Sequence, residues 1–145
     1  EKLSEFDQLC DAFTTNHVAN RASRAQGRAF LTAVERIFPE AGAPTPFAHF
    51  APVFGACLRR LDISRETTAR MYFFNHLRGV LAAAVRLNIT GPMEAQVLQH
   101  KLSAKAELVR QKCETLTLEQ IAQTAPLLDL WQGAQDRLYS RLFQS

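Results

Sequence analysis

The 145-residue chain contains few cysteines and no long hydrophobic segment. Its three cysteines, Cys10, Cys57 and Cys113, are an odd and widely spaced set. Such a set favours reduced thiols in a cytosolic protein over a disulfide framework. The longest fully apolar run, residues 80–85, is too short for a bilayer, which needs about 20 residues. No signal-peptide pattern opens the chain.

The chain also has little excess charge. Its 17 basic and 14 acidic residues give a net charge of +3, which is too small to indicate a dedicated nucleic-acid binder. Hydrophobic residues make up 47% and charged residues 21%, an ordinary globular balance. The length predicts one domain. Because the first residue is Glu1 rather than methionine, we expect the chain to be a fragment or a processed form.

Sequence patterns for catalysis are also missing. The four histidines are separated by 24 residues or more, so no helix can present a paired metal site. There is no Cys-x-x-Cys, no His-Glu-x-x-His and no glycine-rich phosphate loop. These absences favour a binding protein over an enzyme, and we expect no stably bound cofactor.

Helical periodicity dominates the chain and predicts an all-α bundle of six or seven helices. Ser4 is the expected N-cap of the first helix, Thr14 to Asn16 can cap the second, and Asp62 or Ser64 the fourth. Thr117 to Gln120 is a capping-box pattern, and a last helix follows Pro126. The five longer predicted helices cover about residues 4–13, 17–38, 50–61, 65–87 and 92–114.

Three further expectations concern how these helices pack. The fourth helix is apolar nearly all round, which is typical of a bundle centre. Leu102 and Val109 of the fifth helix are expected to face inward and Arg110 outward. Glycine costs a helix up to about 1 kcal/mol relative to alanine, so helical glycines predict close helix–helix approach. Those glycines are Gly27, Gly55, Gly79 and Gly133.

Polar residues on the fourth helix support two interpretations. At 100° per residue they fall within one arc of about 160°, which they share with Phe74 and Leu81. An apolar surface carrying arginine suits a protein interface. Equally, the arginines of an ordinary surface helix can snorkel. The polar set is Thr67, Arg70, Asn75, Arg78 and Arg86.

The C-terminal octapeptide, residues 138–145, is unusually apolar for a chain end. It carries Leu138, Tyr139, Leu142 and Phe143, together with Arg141. Such a segment either docks back on the bundle or binds a partner, and tyrosine and arginine are frequent binding hot spots.

Several segments, in order along the chain, resemble the urease accessory protein UreF family. The ending Pro126 to Asp129 and Leu138 to Ser145 is similar to that family's C-terminal signature. The remaining matches are an Arg-x-Ser-x-x-x-Gly helix (residues 20–28), a short third segment (residues 49–55), and a central helix and turn (residues 83–92), the last closest to plant-type members. The family's N-terminal Pro-Thr-Gly-Gly-like region has no counterpart, so the chain resembles the C-terminal majority of such a protein.

The resemblance implies a non-enzymatic, dimeric and all-α protein. Members bind the accessory protein UreH or UreD, recruit and modulate the GTPase UreG, and deliver nickel to apo-urease. It further implies a helical domain over residues 1–137 and a partner-binding tail over residues 138–145. Arg86 is implied to support the tail or UreG docking, and the metal ligands stay unknown. The tail residues implied at the UreH/UreD interface are Tyr139, Arg141, Leu142, Phe143 and Ser145.

Two alternatives remain open. A basic helical domain could bind nucleic acid, which would show as strongly salt-dependent binding. An enzyme could combine cysteine and histidine residues distant in sequence, which would require a depressed thiol pKa. The nucleic-acid candidates are Arg21, Arg24, Arg28, Arg59, Arg60 and Arg65.

Overall fold

Six α-helices form the chain in a computed structural model that describes residues 2–122 and 125–138, apart from the side chain of Asp136. Three short 3₁₀ segments, Pro39–Ala41, Leu118–Gln120 and Ala134–Arg137, follow α2, α5 and α6. No strand occurs in these residues, which confirms the all-α prediction. The helices are α1 (Lys2–Phe13), α2 (His17–Ile37), α3 (Phe50–Arg60), α4 (Arg65–Arg86), α5 (Pro92–Glu114) and α6 (Pro126–Gly133).

Two helix starts agree with the capping chemistry in the sequence. Asn16 caps α2 by accepting from the backbone N–H groups of Val18 and Ala19, and Ser64 caps α4 by accepting from Thr67. The expected start at Ser4 is wrong, because α1 begins at Lys2 and Ser4 lies inside it. Side-chain caps therefore located two of these starts, whereas α1 extends beyond its apparent cap.

The helices divide into two units. The first comprises Glu1–Ile63 with Ala122–Ser145, and the second comprises Ser64–Ile121. In the first unit, α3 packs against α1 and α2, while α6 packs against α2. Phe30, Phe50 and Phe54 form an aromatic cluster with ring centroids 5.2 to 5.8 Å apart. The buried core beside it consists of Val34, Ala41, Ala43, Ala48, Val53 and Cys57.

A buried carboxylate fixes the loop before α3. The Asp7 side chain is fully buried and accepts hydrogen bonds from the backbone N–H groups of Phe47 (2.7 Å), Ala48 (3.1 Å) and His49 (2.8 Å). Ala48 has a φ of 58°, a left-handed conformation that costs a non-glycine residue roughly 1–2 kcal/mol. The three hydrogen bonds offset that cost and hold α1 against the start of α3.

His49, just before α3, contacts both α1 and α2 through its ring. The side chain is 1% exposed, and Nε2 lies 3.1 Å from Asp11 of α1. Its Nδ1 lies 3.0 Å from the hydroxyl of Ser23 on α2, and this hydroxyl oxygen accepts a hydrogen bond from the Phe50 N–H. The pKa of Asp11 lies below its usual value because Asn20 and His49 donate hydrogen bonds to its carboxylate. An ionised carboxylate can only accept, so Nε2 carries the proton.

Among the four helical glycines, only Gly27 closely approaches another part of the backbone, and that contact is with the loop before α3 and not with a helix. A Cβ at Gly27 would lie 1.9 Å from the carbonyl oxygen of Ala48, so α2 touches the loop backbone there. A Cβ at Gly55 or Gly79 would have no neighbour within 4 Å, and at Gly133 its nearest contact would be 3.7 Å away. The prediction is therefore wrong for Gly55 and Gly79.

The second unit pairs α4 with α5, and here two expectations fail. Leu81 is the one α4 residue that is buried, whereas the side chains of Phe74 and Val80 are more than half exposed. The prediction that α4 lies at the centre of a bundle, which rested on its apolar composition, is therefore wrong. Arg110, expected to face outward, is 7% exposed, while Leu102 and Val109 are exposed.

An ion-pair network explains the burial of Arg110. Its guanidinium contacts Glu107 (3.0 Å) and Glu114 (3.2 Å) on α5 and lies 3.8 Å from Glu66 on α4. Arg70 of α4 makes a bidentate contact with Glu107, at 3.0 and 3.1 Å. The charges therefore join the two helices where the sequence pattern indicated a solvated face.

Glu107 provides a titration test of this network. Hydrogen bonds from Arg70 and Arg110 lower the pKa of Glu107 from 4.5 to about 2. We expect the side-chain carboxyl carbon of Glu107, followed by NMR, to titrate with a midpoint near pH 2. Because the folded-state pKa is depressed, the stabilisation is complete above the unfolded-state value of 4.5 and is lost as the pH falls through about 2.

The control for this titration is Arg70→Ala, which removes the largest cause of the shift. It should move the Glu107 midpoint upward. A wild-type midpoint at 4.5 would show that the ion pairs do not form in solution, and an unchanged midpoint in the variant would show that the pair with Arg70 does not form.

Candidate partner-binding surface

Helix α6 is short and almost entirely apolar. Pro126 occupies its first position, where the missing N–H costs nothing and the fixed φ favours a helix. Asn16 anchors the helix to the connection before α2, because its amide donates to the backbone oxygen of Asp129 at 2.5 Å. The Asn16 side chain thus caps α2 and holds α6 at the same time.

The outer side of α6 is exposed in spite of its composition. Leu127 is 63% exposed, Leu130 70% and Trp131 71%. Helical periodicity places Leu127 and either Leu130 or Trp131 on one face of the last helix, and the structure leaves all three exposed. With Leu128, also exposed, these residues make an apolar surface that we call the α6 surface. Contiguous exposed apolar side chains of this kind mark protein-interaction sites.

An open groove continues the α6 surface toward the end of the described chain. Its volume is about 560 Å³, and it lies between Val18 of α2 and Trp131 of α6. Leu138, 57% exposed, also lines the groove and is the last described residue. The predicted tail begins there, so the α6 surface and the tail are contiguous along the chain. The other lining residues are Leu128, Gln132 and Gln135.

The predicted site residues of the tail lie outside the described residues. Tyr139, Arg141, Leu142, Phe143 and Ser145 therefore remain predictions from the resemblance. Arg86, the sixth predicted residue, is the last residue of α4 and is exposed. Its Nε lies 3.4 Å from the backbone oxygen of Ala82, one turn earlier, to which it donates.

The polar arc on α4 is partly structural. Arg70 is committed to Glu66 and Glu107, and Thr67 takes part in the cap made by Ser64. Arg78 and Arg86 are exposed. Neither interpretation of the arc accounts for all of its members, since Arg70 forms ion pairs instead of snorkelling.

The chemistry of the thiols does not favour the cysteine–histidine alternative. Burial raises the pKa of Cys10 and of Cys57, the reverse of the activation that a nucleophile needs. Within the described residues, no group of three or more His, Cys, Asp and Glu side chains is arranged to hold a metal ion. The described helices also include none long and apolar enough to cross a membrane.

The α6 surface was missed because its residues look like core residues in the sequence. The available signal was the absence of a polar face: the eight residues Pro126–Gly133 contain only Asp129 and Gln132 as polar side chains. A helix of two turns that is apolar on most sides cannot bury all of them against one neighbour.

The fold and the α6 surface together define the class of protein. The chain is all-helical in its described residues and carries an apolar surface suited to a protein partner. Comparison with known proteins gives the family. The UreF family model matches residues 1–103, and the chain belongs to the UreF family.

Curated relatives agree with this assignment. The chain is 39% identical over 150 residues to urease accessory protein F of Oryza sativa and 38% identical over 156 residues to that of Arabidopsis thaliana. It is 30% identical over 147 residues to urease accessory protein UreF of Mycobacterium tuberculosis, of which it covers 67%. The matches cover 96 to 100% of this chain. The chain spans 58% of the rice protein and 65% of the Arabidopsis protein. No solved structure matches the chain.

Proposed function

We propose that this chain is a urease accessory protein that bridges UreH/UreD and the GTPase UreG, so that nickel is inserted into apo-urease. Membership of the UreF family supports the proposal. The observation that carries it is the α6 surface, on which Leu127, Leu130 and Trp131 are exposed next to the start of the tail. Leaving three large apolar side chains exposed is costly for a monomer unless a partner covers them.

In the proposed complex, the tail and the α6 surface form one interface with UreH/UreD. Tyr139, Leu142 and Phe143 provide the apolar anchors, Arg141 a charged contact, and Ser145 the end of the segment. Arg86, on α4, supports the tail or the docking of UreG. Aromatic and arginine side chains are enriched in such interfaces and carry much of their binding free energy.

The remaining parts of the proposal concern nickel and assembly. Nickel is the cargo of the whole complex, and the chain binds no cofactor stably. The chain acts as a cytoplasmic homodimer and modulates UreG without catalysing a reaction itself. Its partners are then UreH/UreD, UreG and the urease apoprotein, with no nucleic acid and no membrane.

Capture by an immobilised UreH/UreD partner tests the tail assignment. Arg141→Ala combined with Phe143→Ala should abolish capture, because each hot-spot residue contributes about 2 kcal/mol or more. The matched control is Arg36→Ala with Ile37→Ala, which removes one cation and one exposed large apolar side chain at the end of α2. If the tail variant and the control are both captured like the wild type, the tail is not the binding segment.

The α6 surface allows a second, independent capture experiment. Leu127→Ser with Leu130→Ser should leave the unfolding free energy within about 0.5 kcal/mol per substitution, because both side chains are exposed. The same variant should weaken capture by UreH/UreD at least tenfold. Ile89→Ser with Met93→Ser is the control, since those residues are 73% and 78% exposed. If both variants are captured equally well, α6 is not part of the interface.

A further inference from the structure

A second surface, remote in sequence from the tail, is strongly basic. It is a groove of about 350 Å³ beside the N-terminal half of α2, and we call it the α2 groove. Arg21, Arg24 and Arg28 line it. None of the described residues that line it carries a carboxylate. Its other lining residues are Thr14, Thr15, His17 and Asn20.

The three arginines are regularly spaced along one face of α2. Positions 21, 24 and 28 differ by three and four residues, the spacing of neighbours on a helix surface. At 1.5 Å of rise per residue, Arg24 and Arg28 are about 6 Å apart along the helix axis. Carboxylates two residues apart in an extended peptide are about 6.6 Å apart, so such a peptide matches the two arginines.

Contacts on two sides hold the Arg24 side chain in place. The guanidinium carbon of Arg24 lies 5.2 Å from the centre of the Phe47 ring, and Nη1 lies 3.9 Å from Asp11. The Asp11 carboxylate is also engaged by His49 and Asn20, so it neutralises Arg24 only in part. A guanidinium held over an aromatic face loses less freedom when it binds a carboxylate through its edge.

The wall of the groove is also rigid. The Asn20 amide donates to Asp11 at 2.9 Å and to the backbone oxygen of Thr14 at 3.3 Å. These bonds fix the connection between α1 and α2, which carries the hydroxyl groups of Thr14 and Thr15. A fixed concave wall with two hydroxyl donors beside a row of guanidinium groups suits an oxyanion ligand.

We infer that the α2 groove binds an acidic segment of a partner protein, with carboxylates at alternate positions of an extended strand. Nucleic acid fits the groove less well. A duplex carries one phosphate charge per about 1.7 Å, so its binding sites use basic residues over a long surface. Arg65, another basic candidate from the sequence, donates instead to the backbone oxygen of Glu114 in its own unit. The lining of the α2 groove also offers no aromatic ring for base stacking apart from that of His17.

Fluorescence anisotropy tests the inference with a labelled seven-residue peptide of alternating glycine and glutamate. We expect saturable binding at low salt and none for the glutamine counterpart. Arg21→Ala with Arg28→Ala should weaken binding about tenfold or more, since two charge-assisted contacts are removed. Both side chains are exposed, and circular dichroism of the variant checks its fold.

The matched control is Arg59→Ala with Arg60→Ala, which removes the same charge from exposed positions at the end of α3. It should change peptide binding less than twofold. Equal weakening by both double variants would overturn the inference, because binding would then follow net charge. Tighter binding of a single-stranded RNA of equal charge, or displacement by inorganic phosphate at millimolar concentration, would also overturn it.

If the alanine variant is unfolded, Arg21→Lys with Arg28→Lys replaces it. That change keeps the charge but removes the planar fork, so peptide binding should still weaken measurably. Unchanged binding would overturn the inference. The peptide assay requires no urease protein, so its result is independent of the capture by UreH/UreD.

Discussion

Replacing Gly27 with alanine is expected to destabilise the first unit by about 3 kcal/mol or more, because α2 meets the loop before α3 at that point. The added Cβ would lie 1.9 Å from the Ala48 oxygen and 2.9 Å from the carbonyl carbons of Ala48 and His49. These are backbone atoms, and Asp7 holds both residues by hydrogen bonds. The loop therefore cannot move away cheaply.

Thermal unfolding followed by circular dichroism measures this effect. The melting temperature should fall by about 10 °C or more in the Gly27→Ala variant, or the protein should be insoluble. Gly55→Ala is the matched control, since a Cβ there would meet nothing within 4 Å. That control should be neutral or should gain up to about 1 kcal/mol of stability. Equal melting temperatures of the two variants would contradict the contact between α2 and the loop.

Replacing Asp7 with alanine should cost about 3 kcal/mol or more, because the backbone N–H groups of Phe47 and His49 would lose their acceptor and that of Ala48 would keep only the Thr45 hydroxyl. The Ala48 conformation would lose its support in the same step. Urea denaturation measures the loss as a lower midpoint with an unchanged slope. Asp7→Asn should recover only part of it, because its single oxygen cannot accept at both carboxylate positions.

The control for Asp7 is Glu5→Ala, which removes an exposed acidic side chain from the same helix. It should change the unfolding free energy by about 0.5 kcal/mol or less. An Asp7→Ala variant as stable as the control would show that water or another group satisfies the loop N–H groups.

Helix positions could be predicted from the sequence because local chemistry determines them. Asn16 and Ser64 are caps that act within one turn, and Pro92 and Pro126 start helices through their fixed φ. The predicted α5 over residues 92–114 and the observed helix have the same ends. Errors at other ends, as at Ser4, involve one turn or less.

Long-range contacts could not be predicted from the sequence. Asp7 and His49 are 42 residues apart, and nothing in their local patterns indicates a shared site. The motifs of the family resemblance did include Ser23, Gly27 and His49, and the structure brings these residues together. The motifs therefore included these residues without showing that they are neighbours. The fold shows that they contact one another.

Burial was the least predictable property. Arg110 is buried because three glutamates surround it, whereas Trp131 is exposed although α6 packs against α2. In both cases the sequence correctly indicated a helix, but burial depended on which part of the protein faces that side of the helix. The 3.6-residue period of a helix shows which residues share a face, but it does not show which part of the protein covers that face.

We propose that the chain enables nickel insertion into urease through UreH/UreD. The most direct measurement is the nickel content of urease purified from cells that co-express urease, UreH/UreD, UreG and this chain. Urease should be nickel-loaded with the wild-type chain and with Arg36→Ala plus Ile37→Ala. It should be largely nickel-free with Arg141→Ala plus Phe143→Ala or without the chain. Equal nickel loading in the absence of the chain would contradict the account.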